Sequence, residues 1–285
     1  MTARRLIVAA AAVVGLTAAC APGSPGDERF EAGPVPDVSA PSPTPVASTP
    51  AAETGLFART PRTARPSPTP SRKPPPAVVR PDNAAARLRT LPDATRQVIV
   101  VSASGYGTSQ AVLETFDKRD GGWHPALGRM PARIGGAGFK DAKVEGDNAT
   151  PTGMYGFGST MYGIAADPGV RYAYHRLVAD DWWNENPSSP GYNTFTHGPD
   201  PGGASEALWT ISPQYAYFAV ITYNVPVRAA DPPRGSGIFL HVTSGGSTAG
   251  CVAVAQADLV RVLRWLDRAA TPRIVLAPSS ELGRY

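Results

Sequence analysis

Across residues 93–278 the apolar positions come in short bursts, with little of the long stripe that marks a helix. Residues 97–102 (QVIVVS) form a β-branched run, and 111–118 (AVLETFDK) alternate apolar and polar like a half-covered strand. RDGG (119–122) closes that strand as a hairpin-type turn. Residues 215–223 (YAYFAVITY), 237–242 (GIFLHV) and 273–277 (RIVLA) are again β-prone. Between these runs, 131–143 read as Gly-rich irregular chain, and 146–158 (GDNATPTGMYGFG) as a turn-dense stretch leading into a short strand. One segment has the helical period. In 258–268, Leu259, Leu263 and Leu266 recur at spacings of four and three, with Asp258 in the first turn where its charge complements the helix dipole. No internal repeat is visible. Many short strands and one clear helix predict a mostly-β domain, long enough for one hydrophobic core.

The first 92 residues have a different texture. Arg4 and Arg5 precede an apolar core, 6–16, of signal-peptide length and too short to span a bilayer stably. LTAAC (16–20) resembles the lipobox of bacterial lipoproteins. That resemblance implies cleavage after residue 19 and a diacylglycerol on the sulfur of Cys20, and two acyl chains suffice for stable anchoring. An ordinary secretory signal with an incidental cysteine is the other reading of the same letters. From residue 21 to 81, 16 of 61 residues are proline, and most of the others are Ala, Ser, Thr or Gly. Such runs build neither core nor helix and favour extended polyproline-type chain. Residues 20–92 therefore read as a lipidated cysteine plus disordered linker, with residues 21–81 alone reaching ~190 Å when fully extended. Residues 279–285 read as a C-terminal tail.

Charge changes little. The formal +4 is dominated by the leader's two arginines, and residues 83–285 hold 18 basic and 17 acidic side chains without a basic stripe. Nothing there recommends a nucleic-acid partner.

The cysteine count changes more. The chain has two cysteines, and lipid on Cys20 leaves Cys251 without an intramolecular partner. Outside the cytoplasm an unpaired thiol is either buried or used. Cys251 lies in IFLHVTSGGSTAGCVAV (238–254), ten residues after His241. A cysteine nucleophile needs a base, backbone N–H groups aimed at the oxyanion, and an open approach. His241 ends a predicted strand. The loop SGGSTAG (244–250) is built of small residues, so main chain can approach a ligand closely. Gly250 clears space beside the sulfur, and the N–H groups of Ala249, Gly250 and Cys251 are candidate oxyanion donors. Spacing alone leaves a second reading open: a small core cysteine near a hydrogen-bonded structural histidine. His124, His175 and His197 are scattered singly, and one Cys with one His falls short of a zinc site, so no metal or organic cofactor is indicated.

FLH, a small-residue loop and T-x-G-C followed by an apolar residue resemble the signature of the L,D-transpeptidase (YkuD-type) catalytic domain. GDNATPTGMYGFG is similar to that family's upstream stretch, and the helix and last strand fall where the family has them. The likeness covers residues 96–278. It implies an L,D-transpeptidase-like β-sandwich with one or two short helices. It also implies a thioester between the cysteine and a peptidoglycan stem peptide, attacked at the L-centre of its third residue, and a 3→3 cross-link made when a neighbouring stem's amine resolves that thioester. Carried over by position, Cys251 is the nucleophile, His241 the general base, Gly250 part of the catalytic loop and Thr248 the family's Ser/Thr. The backbone carbonyl of Val242 is placed to orient the histidine ring. A carbapenem adduct on Cys251 is a further implication.

Two departures stand out. Ala249 replaces a family histidine, and Ala253 replaces the usual arginine or asparagine. Other polar groups must then furnish the cleft. In 180–193 (DDWWNENPSSPGYN), Trp182 and Trp183 are candidates to cover it, and Tyr192 and Asn193, with Thr248 and Ala249 of the loop, to bind substrate; a surface loop with aromatic staples is the alternative. The expected activity is acyl transfer on stem peptides outside the cytoplasmic membrane. Hydrolysis by the same site as an L,D-carboxypeptidase, and an inert wall-binding lipoprotein, are the alternatives.

Overall fold

The computed structural model describes residues 82–285. The expected leader, the lipid site at Cys20 and the tether through residue 81 lie outside the described residues. In chain order the strands are β1 (Gln97–Ala103), β2 (Gln110–Arg119), β3 (Gly122–Arg133), β4 (Phe139–Lys140), β5 (Thr150–Pro151), β6 (Gly153–Tyr155), β7 (Phe157–Gly163) and β8 (Ala173–Arg176). They continue with β9 (Asp181–Asn184), β10 (Thr194–His197), β11 (Glu206–Ala207), β12 (Phe218–Ile221), β13 (Phe239–Val242), β14 (Val252–Val254) and β15 (Arg273–Pro278). A single α-helix among the described residues, α1, spans Gln256–Trp265.

The mostly-β expectation holds. Ten strands form one large curled sheet in the order β6-β15-β1-β2-β3-β14-β13-β12-β7-β8, joined by a three-stranded sheet, β10-β9-β11, and a two-stranded one, β4-β5. At the β2–β3 hairpin, Asp120 and Gly121 both have positive φ (50° and 73°), the pairing whose twist matches that of the flanking strands. Helix α1 begins two residues before the expected start and buries Leu259, Val262 and Leu263. The chain turns extended at Leu266, yet that side chain stays buried in the same cluster. The core beneath α1 includes Leu240, Val242, Val252 and Val254. A second cluster holds Trp183, Leu208, Tyr215, Phe218, Phe239 and Cys251.

Four expectations need correcting. First, 131–143 are not wholly irregular, because β3 runs on to Arg133 and pairs Pro131 with Val112. Prolines at 125 and 131 hide this strand from a propensity reading. Second, the strand expected over 215–223 is confined to β12. Gln214–Ala216 form a 3-10 turn, which drops the Tyr215 ring among Phe218, Phe239 and His241. Third, residues 82–92 and 279–285 pack on the domain, where a linker end and a tail were expected. Ala85 and Leu282 are buried in a third cluster, against which Leu88 and Leu91 pack, and the Arg89 amide donates to the Tyr285 carbonyl. Apolar Ala and Leu at those positions give them surface to bury, unlike the Pro/Ser runs before them.

Fourth, 180–193 contain the central strand of the small sheet and are more than a surface loop. Fully buried Asp181 accepts from the Val178 amide, His175 Nε2 and His197 Nδ1, each at 2.8 Å, and so ties β8, β9 and β10 together. The two histidines that stand apart in sequence share this carboxylate. Among the described residues no group of three or more His, Cys, Asp or Glu is arranged to hold a metal ion.

Candidate active site

β13 and β14 run parallel, with Leu240 opposite Val252, His241 opposite Ala253 and Val242 opposite Val254. Side chains alternate between faces along each strand. Leu240, Val242, Val252 and Val254 turn to the core beneath α1. His241 and Ala253 therefore turn the other way, as do Phe239 and Cys251, which pack in the second cluster. The register thus sets His241 of β13 and Cys251, the residue just before β14, on one face, two positions apart. Both line a cavity of about 220 Å³, together with Glu206, Tyr215, Thr248 and Ala249. A larger cavity of about 1020 Å³, walled by Lys143, Tyr155, Tyr223 and Arg234 among others, touches neither His241 nor Cys251.

The imidazole is held in one tautomer. His241 Nδ1 lies 2.8 Å from the Val242 carbonyl. A carbonyl only accepts, so Nδ1 carries the proton and Nε2 keeps its lone pair. Burial lowers the His241 pKa to about 4, and the Val242 hydrogen bond only partly opposes it. The ring packs edge-on against Tyr215, centroids 5.7 Å apart. The resting thiol is likewise neutral. Burial, aided by the charge of Glu206, raises the Cys251 pKa far above the ordinary thiol range. Cys251 Sγ donates to the Gly237 carbonyl at 3.1 Å and accepts from the Phe239 amide at 3.3 Å. The pair at rest is a thiol beside a free base, not a preformed thiolate–imidazolium.

That assignment predicts the pH dependence. A base with a lowered pKa is competent above it and is lost as pH falls through it. The acid limb of kcat/KM is therefore expected near pH 4, where His241 takes up its proton. An initial-rate pH profile checks this, and an acid limb centred at or above the ordinary histidine value of ~6.5 would contradict it.

The loop before Cys251 is braced from below. Thr248 Oγ1 donates to the Cys251 carbonyl at 2.7 Å and accepts from the Gly250 amide at 3.1 Å. Gly250 has φ +148°, and a Cβ there would lie 2.9 Å from the Ala149 carbonyl oxygen and 3.1 Å from Ile238 Cδ1. Its own carbonyl accepts from Thr150 Oγ1 at 2.7 Å, while Thr150 Oγ1 accepts from the Gly135 amide at 2.8 Å. The upstream GDNATPTG stretch thus supports the loop that carries Cys251. Asp147 organises it by accepting from Lys143 (2.8 Å) and from the amides of Val144 and Ala149, and these bonds overcome burial to hold its pKa at about 2.

The sequence-derived candidates separate here. Cys251, His241, Gly250, Thr248 and Ala249 meet at one loop and strand pair. The Gly250 amide is engaged by Thr248, so the amides of Ala249 and Cys251 are the candidate oxyanion donors and Gly250 has a conformational role. Tyr192 and Asn193 are placed elsewhere, outside the cavity lining. The Tyr192 hydroxyl donates to Glu145. Asn193 Oδ1 accepts from Trp183 Nε1 and the Gly237 amide, both at 3.1 Å, and Nδ2 donates to the carbonyls of Tyr223 and Asn224. With every polar atom of its amide spent internally, Asn193 braces the segment leading to β13. Trp183 is buried against Phe239, and Trp182 packs on Trp209. Tyr215 and Glu206, which do line the cavity, carry no local sequence signal.

A family model described as the L,D-transpeptidase catalytic domain (YkuD) matches residues 96–275. The chain belongs to the L,D-transpeptidase (YkuD) family. No curated protein and no solved structure matches it. The matched span runs from the start of β1 into β15, so Thr150, His241 and Cys251 all lie within it. The two alanines that depart from the family pattern both line the cavity. Ala253 is buried opposite Arg133 of β3.

Proposed function

We propose that this domain is a cysteine acyltransferase acting on peptidoglycan stem peptides and forming 3→3 cross-links. The observation that supports it most is the placement of Cys251 and His241 on one sheet face in one cavity, with His241 held as the tautomer that leaves Nε2 free. On substrate binding the thiol leaves the Gly237 carbonyl and gives its proton to His241 Nε2. Sγ then attacks the carbonyl carbon at the L-centre of the third residue, and the amides of Ala249 and Cys251 receive the oxyanion. Collapse breaks the C–N bond, and the terminal D-residue leaves with the proton from the imidazolium. The thioester that remains is attacked by an amine of a second stem, forming the new amide and releasing the thiol.

Incubation with a tetrapeptide-bearing muropeptide followed by mass analysis tests this reading. Dimers linked 3→3 are the expected product. Tripeptide alone would mean hydrolysis, and unchanged substrate an inert module. We also propose, from the lipobox-like LTAAC, that the domain is held outside the membrane by a lipid on Cys20. Cys20→Ala should then release the protein from membranes, and continued membrane association would remove the anchor.

A further inference from the structure

The catalytic cavity contains one acidic side chain that the thioester chemistry leaves unused. Glu206, in β11 opposite Trp183 of β9, lines the cavity with Cys251 and His241. Its Oε2 accepts from the hydroxyl of Tyr215, whose ring packs edge-on against His241. Among the described residues Glu206 enters no ion pair. Lys143, whose charge acts on Cys251, is engaged by Asp147 at 2.8 Å. Apart from neutral His241, the other residues lining the cavity carry no basic or acidic side chain except the thiol and the Tyr215 phenol. Such a cavity is complementary to a cation, since the Tyr215 hydroxyl satisfies one carboxylate oxygen of Glu206 while no positive charge offsets it.

We propose that Glu206 is a further catalytic residue that receives the acceptor: it binds the incoming primary ammonium and takes its proton, so that a neutral amine meets the thioester. This rests on the transferase reading above. The ammonium gives one proton to the Glu206 carboxylate and becomes an amine. The amine nitrogen attacks the thioester carbonyl carbon, and its second proton passes to His241 Nε2. The C–S bond breaks, the sulfur takes that proton from His241, and Glu206 returns its own to solvent.

The surroundings suit the task. Burial raises the Glu206 pKa, against the smaller lowering effect of the Tyr215 hydrogen bond, which makes the carboxylate a stronger proton acceptor. The titratable groups facing it are Tyr215 and Cys251 within the cavity and Glu185 behind it, whose pKa burial and Glu206 together raise to about 8.

Glu206→Gln, which keeps the shape and the Tyr215 contact, separates the two half-reactions. With a tetrapeptide donor, intact-protein mass is expected to show the thioester forming at least as fast as in the wild type, because loss of the Glu206 charge eases deprotonation of Cys251, and this also reports that the variant is folded. Transfer to an acceptor amine should drop by about 10²-fold, and product should shift to hydrolysed tripeptide. Glu206→Asp, retaining a carboxylate, should transfer faster than Glu206→Gln. An unchanged ratio of transfer to hydrolysis in Glu206→Gln would overturn the inference. So would equal losses in thioester formation and transfer, since Glu206 would then act only through Tyr215 and His241. Wild-type protein that forms no thioester would overturn the transferase reading itself, a result distinguishable from either.

Discussion

Cys251→Ser is expected to abolish transfer, by at least ~10³-fold, while leaving the melting temperature nearly unchanged. The stability half of this expectation follows from packing. A serine hydroxyl can donate to the Gly237 carbonyl and accept from the Phe239 amide, as the thiol does. The activity half follows from acidity. His241, with its pKa lowered to about 4, is a weak base. It can assist a thiol, which is intrinsically nucleophilic, far better than an alcohol whose proton is much harder to remove. Turnover and a thermal melt on the same preparation check both halves. Retained turnover would remove Cys251 as nucleophile, and a collapsed melt would mean that Cys251 is mainly a core residue.

Gly250→Ala is expected to be the most damaging change that leaves every polar catalytic group in place. At φ +148° an L side chain is strained, and the new Cβ would press on the Ala149 carbonyl and Ile238 Cδ1. Neither neighbour moves cheaply: Ala149 is tied to Asp147 through its amide, and Ile238 is buried in the main core. Strain and overpacking together suggest a loss of ~2–4 kcal/mol. Relief by shifting residue 250 would drag Cys251, the next residue, away from His241. Activity should then fall by ~10²-fold or more, because small misplacement of a reacting atom is enough. Chemical denaturation and initial rates measure the two effects. A variant of wild-type stability and rate would show that the loop does not depend on this glycine.

These predictions rest on parts of the molecule that the sequence makes visible to different degrees. His241 and Cys251 are legible because both belong to one continuous stretch: a β-prone run fixes the histidine, and a small-residue loop returns the cysteine to the neighbouring strand. The apolar face of α1 is legible from its period, although its start lies at Gln256 because polar residues fill the first turn without disturbing that face. Strand β3 is obscured by its own composition. Pro125 and Pro131 argue against a strand, yet both pair with β2 across an irregularity between Glu114 and Phe116 where the Leu127 amide donates to Thr115 Oγ1.

Tyr215 misleads in the opposite direction. Its neighbours are β-prone, but burying its ring beside His241 selects a 3-10 turn. Asn193 is polar, aromatic-flanked and in a loop-like context, all features of a binding residue. Its hydrogen bonds reach residues 10 to 44 positions away, a distance at which no sequence pattern reveals that they are satisfied. Glu206 is invisible for the same reason. A short strand pairing with Trp183 carries it to the cavity, and nothing in SEALW (205–209) announces the destination. Thr150 is the intermediate case. Its motif is recognisable, whereas its function, holding the Gly250 carbonyl 100 positions later, appears only in three dimensions.

Ala249 and Ala253 sharpen the chemistry of the site. Two positions that bear polar side chains in the family pattern are methyl groups here, and both face the cavity. The proposed acylation asks little of them, since it uses Cys251, His241 and the amides of Ala249 and Cys251. In the proposed transfer, recognition of the acceptor ammonium asks for an acidic partner, and Glu206 is the one carboxyl side chain in the cavity lining.

The most direct test of the central claim, that Cys251 is an acylable nucleophile served by His241, is the intact mass of the protein after exposure to a carbapenem. A mass increase of one carbapenem, mapped by peptide analysis to Cys251 and absent from Cys251→Ser, is the predicted result. No adduct under conditions in which another L,D-transpeptidase reacts, or an adduct on any other residue, would contradict it.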